Sequence, residues 1–232
     1  MKKTIAIVLC LLLGLLAAPA LAAGKLDVSQ ENFMVIDSYW TYGYAYARID
    51  NVGDKPIMIN AGILEIFDAN GDAITSSDYL NPYAEFLQPG EYTYANIYAE
   101  ITDVAAADVA DYSLTITGKS DKDYATLRLP VTTDYIEGVE EWYSTYNYMY
   151  ATVTNDTDQP IYDVTVVLVL LDADGNILYM IDASMYTDKA IMPGSSIQIK
   201  EFVNQDFIAW YQAQGLTPAS VDAIAFVNVP QE

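Results

Sequence analysis

The chain repeats itself at a spacing of 104 residues. Thr41-Tyr42-x-Tyr44-x-Tyr46-Ala47 falls on Thr145-Tyr146-x-Tyr148-x-Tyr150-Ala151, and without a gap Asn51, Asp54, Pro56 and Ile57 then fall on Asn155, Asp158, Pro160 and Ile161. Positions 41–90 and 145–194 agree at 16 of 50 sites with no insertion, out to Pro89-Gly90 and Pro193-Gly194. A register kept over that length means two copies of one unit of about a hundred residues, a usual size for a domain. It limits the architecture far more than it limits the activity.

Residues 1–23 read as a secretory signal. Lys2 and Lys3 supply the positive start, Ile5 to Leu16 the apolar stretch, and Ala20-Leu21-Ala22 a small-x-small cleavage site. The apolar stretch is short for a membrane span. The mature chain is therefore expected to start near Ala23, with no membrane insertion after cleavage, and to act as a secreted, cell-surface or periplasmic protein. Cys10 leaves with this segment, and Leu9 before it is too large for a lipoprotein signal.

The mature chain then has neither cysteine nor histidine. Disulfides, cysteine nucleophiles, Ser-His-Asp triads and cysteine or histidine zinc sites are ruled out by composition alone. It would carry 32 acidic and 8 basic side chains, a net charge of −24. Such a surface repels nucleic acid and anionic membranes, so neither is expected as a partner.

Each copy reads as short strands broken by turns. From Trp40 to Ile49 the chain alternates strictly, with Trp40, Tyr42, Tyr44, Tyr46 and Arg48 on one side and Gly43, Ala45, Ala47 and Ile49 on the other. Its counterpart sets Trp142, Tyr146, Tyr148 and Tyr150 opposite Met149, Ala151 and Val153. Asn51 to Pro56 and Asn155 to Pro160 are polar turns in which proline opens the next strand. Asp68-Ala69-Asn70-Gly71-Asp72, Asp172-Ala173-Asp174-Gly175-Asn176 and the two Pro-Gly pairs have hairpin-turn composition. Only between Gln205 and Gln214 does the period become helical, with Asn204 as N-cap, Gly215 as stop and Phe207, Ile208 and Tyr211 on one side. The divisions read from the sequence are repeat 1 over 24–130, an acidic linker over 131–141 and repeat 2 over 142–232.

An asparagine-containing turn, a hydrophobic strand ending in aspartate, an Asp-x-Asx-Gly hairpin and a Pro-Gly turn resemble the FxLYD-type β-sandwich modules of bacterial and archaeal secreted proteins. The name-giving motif reads Leu64-x-Ile66-Phe67-Asp68 and Leu168-x-Leu170-Leu171-Asp172 here, so its phenylalanine and tyrosine are replaced. The resemblance covers about half of each repeat. It implies an all-β chain of two tandem immunoglobulin-like antiparallel sandwiches, and it brings no catalytic residues with it.

Three features bear on function. The aromatic rows (Trp40, Tyr42, Tyr44 and Tyr46; Trp142, Tyr146, Tyr148 and Tyr150) are either platforms for a ligand or faces covered by the protein itself. The small residues behind the first row favour at least partial burial. The run Val164 to Leu171 does not alternate, so both faces of that strand need cover; the Gln205–Gln214 helix is the first candidate lid, with the first copy or a second chain next. Asp172, Asp174 and Asn176 gather oxygens as a calcium site would. An EF-hand loop, however, places glycine sixth and a carboxylate twelfth, where this chain has glycine fourth and Ala183 twelfth. A hairpin turn accounts for the same residues.

The expected function is non-enzymatic binding or adhesion through an aromatic strand face or the groove between the copies. The expected partner is an extracellular glycan, a peptide or another surface protein, with no cofactor beyond a weak case for Ca²⁺. The alternatives are a purely structural or assembly module and a carboxylate-dependent hydrolase. For the hydrolase, Asp134, Glu140 and Glu141 are the first residues to inspect.

Overall fold

In a computed structural model, residues 24–141, 143–183 and 190–231 are described. Residues 1–23, read from the sequence as a signal, and Trp142 lie outside them. The first copy begins with β1 (Leu26–Asp37), β2 (Thr41–Asn51), β3 (Ile57–Asp68), β4 (Ala73–Ser77) and the short β5 (Asn81–Pro82). It continues with β6 (Phe86–Leu87), β7 (Tyr92–Glu100) and, after a 3-10 turn at Ala106–Asp108, β8 (Val109–Ser120). One sheet runs β1-β2-β7-β5; the other centres on β3, with β8 along one side and β4 and β6 along the other. Between the two sheets lie Ala45, Leu64, Ile66, Ile97 and Ala99.

The alternation in β2 explains this packing. Its inner side carries only small or branched residues, so the sheets approach closely. A Cβ on Gly43 would sit 2.4 Å from Ile66 Cδ1 and 3.0 Å from the Phe33 ring.

The second copy repeats the plan with β11 (Ser144–Thr154), β12 (Thr165–Asp172), β13 (Ile177–Asp182), β14 (Ser196–Phe202), α1 (Gln205–Ala213) and β15 (Pro218–Pro230). All pairings are antiparallel, and the architecture is an all-β sandwich with one α-helix among the described residues. The helix ends as its sequence predicts. Asn204 accepts the Asp206 N–H at 2.8 Å, and Gly215 takes φ +72. No helix among the described residues is long and apolar enough to cross a membrane.

The segment between the copies departs from expectation. Residues 131–141, read as a linker, form strand β10 (Val131–Glu141), paired with β11 from Val131↔Val153 to Glu141↔Ser144. Its half-buried apolar positions Val131 and Tyr135 are followed by a bulge between Ile136 and Val139, and Asp134, Glu137 and Glu140 face water. Strand β9 (Tyr124–Leu129), assigned by position to repeat 1, instead pairs with β15 from Pro230↔Tyr124 to Ala225↔Leu129. The second copy thus has the sheets β10-β11-β14 and β13-β12-β15-β9. A strand that follows the first copy in sequence completes the second in space.

One device recurs in both copies and explains much of the repeated sequence. Asn51 is fully buried, and its Nδ2 donates to Lys55 O at 2.9 Å and to Leu87 O at 3.0 Å, while its Oδ1 accepts from Gly53 N at 3.0 Å. Asn155 does the same with Gln159 O at 2.8 Å, Ile191 O at 2.7 Å and Thr157 N at 2.9 Å. The backbones of the two asparagines also receive the Pro-Gly turns, through Gly90 N at 2.9 Å and Gly194 N at 2.8 Å. Both glycines have positive φ, +81 and +72, which favours glycine at the second turn position. One side chain therefore closes the Asn…Pro turn and anchors the Pro-Gly turn. Asn155-Asp156-Thr157 has the form of a glycosylation sequon, but its asparagine side chain is buried in this clamp.

Replacing either asparagine by alanine removes three hydrogen bonds of the turn at once, although in the second copy Ile191 O keeps the Ile161 N–H and Gln159 O keeps the Thr157 hydroxyl. At about 0.5–1.5 kcal/mol for each net hydrogen bond, Asn155→Ala should lose roughly 2–3 kcal/mol in urea unfolding. A loss under 1 kcal/mol would show the clamp to be dispensable.

Candidate functional site

The two tyrosine rows meet different surroundings. In the first copy, Tyr42, Tyr44 and Tyr46 stand on the outer face of β2, with ring centroids 6.0 and 6.3 Å apart, and Tyr98 of β7 lies 5.6 Å from Tyr44. Phe207 of α1 enters this row. It stacks on Tyr46 at 6.0 Å with planes 13° apart, meets Tyr44 edge-on at 5.2 Å and lies 5.0 Å from Tyr179 of β13. Tyr46 is 3% exposed, Tyr44 and Tyr42 are half-buried, and Met34, Ile36 and Tyr94 on the same face are buried. Trp40, expected on this row, sits in the β1–β2 turn instead. It is 58% exposed and packs edge-to-face with Tyr39 at 5.1 Å.

Among the described residues the second row meets no ring of the first copy or of the helix, although Tyr148 is itself only 7% exposed. Tyr146, Tyr148 and Tyr150 follow one another on β11 at 5.8 and 6.2 Å, and Phe202 of β14 lies 6.1 Å from Tyr146. None of these four rings is in ring contact with the first copy or the helix. Phe202 is 48% and Ile136 43% exposed. Tyr148 is shielded from within its own sheet: Lys200 Nζ stands 3.7 Å over its ring, and its hydroxyl donates to Glu141 Oε2 at 2.9 Å. Lys200 in turn pairs with Glu141 Oε1 at 2.5 Å. The hydrogen bonds from Lys200 and Tyr148 hold the Glu141 carboxyl below its ordinary range, and the Glu141 bond raises Lys200. Glu141 is thus half of an exposed ion pair.

The strand run without alternation is also explained. The side of β12 bearing Thr165, Val167 and Val169 is continuous with Met180 of β13 and with Asp222 and Ile224 of β15. This side meets the first copy. The Tyr46 hydroxyl bonds the Met180 backbone, and Asp222 Oδ2 accepts from Tyr94 at 2.5 Å and Tyr92 at 3.2 Å. The helix was the expected lid, but the outer tyrosine face of β2 and β7 does this work. The helix closes the margin of the interface. Met34, Tyr46, Tyr94, Val167, Val169, Phe207 and Ile224 belong to one buried cluster spanning both copies. Behind it, Arg48 lies 3.7 Å over the Tyr92 ring and pairs with Asp50 at 3.1 Å.

At the Asp172 turn the oxygens are occupied by the turn itself. Oδ1 accepts Asp174 N at 2.9 Å and Asn176 N at 2.8 Å, and Oδ2 accepts Asn176 Nδ2 at 2.8 Å. Partial burial raises this carboxyl, but the hydrogen bonds from Asn176, Asp174 and Gly175 outweigh it and the net shift is downward. Asp68 makes the same turn in the first copy. Among the described residues, no group of three or more Asp or Glu side chains is gathered as a metal would need. Glu201 on β14, which the sequence did not single out, is raised by burial and then by the charge of Asp182.

No family model and no curated protein matches this chain. Among solved structures, it is similar to the transglutaminase of red sea bream. The identity is 9% and the TM-score 0.23, over 88% of this chain and 31% of that one. The chain spans about a third of that enzyme, and so loose a superposition carries no functional argument.

Burial raises the phenols at the junction. Tyr46, Tyr83 and Tyr94 are pushed well above the ordinary value, and Tyr179 to about 12. The folded state holds these protons more tightly than the unfolded state does. Their contribution to stability is therefore complete below pH 10 and is lost as the pH rises through 10 toward 12. Absorbance at 295 nm should show only part of the 20 tyrosines ionising near pH 10. The rest should appear together with the loss of strand circular dichroism. One wave near pH 10 with the fold intact would contradict the buried row.

Proposed function

We propose that this chain is a secreted or cell-surface, non-enzymatic binding module, built from two FxLYD-like immunoglobulin-type units, whose second tyrosine row docks another protein. The observation that carries this reading is the inequality of the two rows. Thr-Tyr-x-Tyr-x-Tyr-Ala is identical in the two copies. In the first, that face is buried against a β-sheet and the Phe207 ring; in the second, no ring among the described residues takes the part of Phe207, and Tyr148 is covered by Lys200 of its own sheet. A face of this chemistry already receives a protein surface within the molecule, so a protein surface with an aromatic knob fits the free one. A glycan fits less well. Sugar stacking needs an open ring face, and Lys200 occupies that of Tyr148 while the neighbouring rings are tilted by 37° and 53°. The exposed, unlike-charged pair Lys200–Glu141 beside Tyr148 offers such a partner a polar contact.

A photoreactive phenylalanine analogue at position 202 tests this against the same residue at Ile63, exposed on the β3 face of the first copy. Irradiation in the native envelope fraction should give a discrete, protease-sensitive adduct from position 202, abolished by Tyr150→Asp, and none from position 63. A glycosidase-sensitive adduct would favour the glycan, and no adduct would favour a purely structural role.

A further inference from the structure

A second site lies at the junction of the copies, away from the tyrosine rows. A cavity of about 290 Å³ opens between the Pro89-Gly90 turn, β7, β9, β10 and β15. Leu129, Val131, Ala223 and Ile224 line its apolar part, and Glu91 and Arg128 supply its charges.

Arg128 is an unusual cation in this chain. It is fixed at one end, where Nη2 donates to Tyr92 O, and its guanidinium stands 5.5 Å from the Phe226 ring centroid. Its other N–H groups have no acceptor among the described residues. The ion pairs found there, Arg48–Asp50 and Lys200–Glu141, do not include it. With 32 acidic side chains against 10 basic ones, a half-buried guanidinium without a carboxylate at contact distance leaves donors for a ligand, and none of its nitrogens is both fully buried and unpaired. Burial draws its pKa down, and Glu91 is the first influence opposing that. Glu91 is near enough to be felt and too far to pair. Its Oε2 accepts Gln88 N at 2.7 Å, and Oε1 has no donor among the described residues.

We propose that this cavity binds a small zwitterion, a free α-amino acid with a short apolar side chain. Its carboxylate sits on the Arg128 fork, its ammonium on Glu91 Oε1, and its side chain against Leu129, Val131 and Ile224. A guanidinium presents parallel donors to a carboxylate, which is the geometry such recognition uses. The volume is at the small end for ligand pockets, which matches a small ligand. Occupancy would bridge both copies, since Glu91 comes from the first and β15 from the second, so a ligand also stabilises their union.

Calorimetric titration of the full chain with L-leucine tests the site, with 4-methylvalerate (no ammonium) and isoamylamine (no carboxylate) as controls, alongside the melting temperature. Leucine should bind and raise the melting temperature, and each control should bind at least tenfold more weakly. Arg128→Gln should weaken leucine at least tenfold. Glu91→Gln should weaken leucine and leave 4-methylvalerate unchanged. If Arg128→Gln fails to fold, Arg128→Lys keeps the charge without the fork and should still weaken leucine several-fold. No response to 10 mM leucine overturns the proposal, as does equal binding of leucine and 4-methylvalerate, or indifference to Glu91→Gln. The second tyrosine row plays no part, so failure here leaves the docking reading standing, and the reverse.

Discussion

The contact on which the rest of the structure depends is the seating of the first copy's outer tyrosine face on the β12–β13–β15 face of the second. Without it, Val167, Val169 and Ile224 on one side and Met34, Tyr46 and Tyr94 on the other would be bare to water. Apolar area on that scale is not left exposed by a stable protein. The contact is held in direction by a few polar anchors within the apolar field: the Tyr94 and Tyr92 hydroxyls on Asp222, and Tyr46 on the Met180 backbone. Phe207 then closes the margin. A tyrosine serves this interface better than phenylalanine because its ring buries area while its hydroxyl finds a fixed acceptor.

Inside each copy a smaller constraint operates. The buried asparagine that links the Asn…Pro turn to the Pro-Gly turn uses one side chain to fix the ends of several strands. The Asp68 and Asp172 turns fix the hairpins in the same local manner. These devices account for most of the identities between the copies that are not core positions. They also show why oxygen-rich turns here need not be cation sites: the lone pairs are already accepting backbone N–H groups. The repeated residues maintain the scaffold. What differs between the copies, namely the helix, strand β9 and the apolar back of β12, makes them fit each other.

That difference shapes the functional reading. Two like rows came to differ, one packed on the other copy and one meeting no ring of it among the described residues, so the second can be understood through the first. The same junction creates the Glu91–Arg128 cavity, which exists only because β9 crosses from one copy to the other. Function, on this view, resides where the duplication stopped being symmetrical.

The sequence by itself determined the elements. Strict alternation placed Tyr42, Tyr44 and Tyr46 on one face of a strand, Asn204 and Gly215 bounded the helix, and Asp-x-Asx-Gly and Pro-Gly set the turns, because each signal is local and acts within a few residues. The non-alternating run from Val164 to Leu171 announced that both faces would be covered. Only the tertiary structure decided by what. The 131–141 stretch reads as an acidic connection until its pairing with β11 is seen. Tyr124 to Leu129 has nothing local to say that its partner is β15, about ninety residues later. Nor could the shared Thr-Tyr-x-Tyr-x-Tyr-Ala pattern reveal that one row would pack against rings of the other copy and the second would not. Burial of a face depends on what the rest of the chain brings to it, and that partner is chosen by long-range packing.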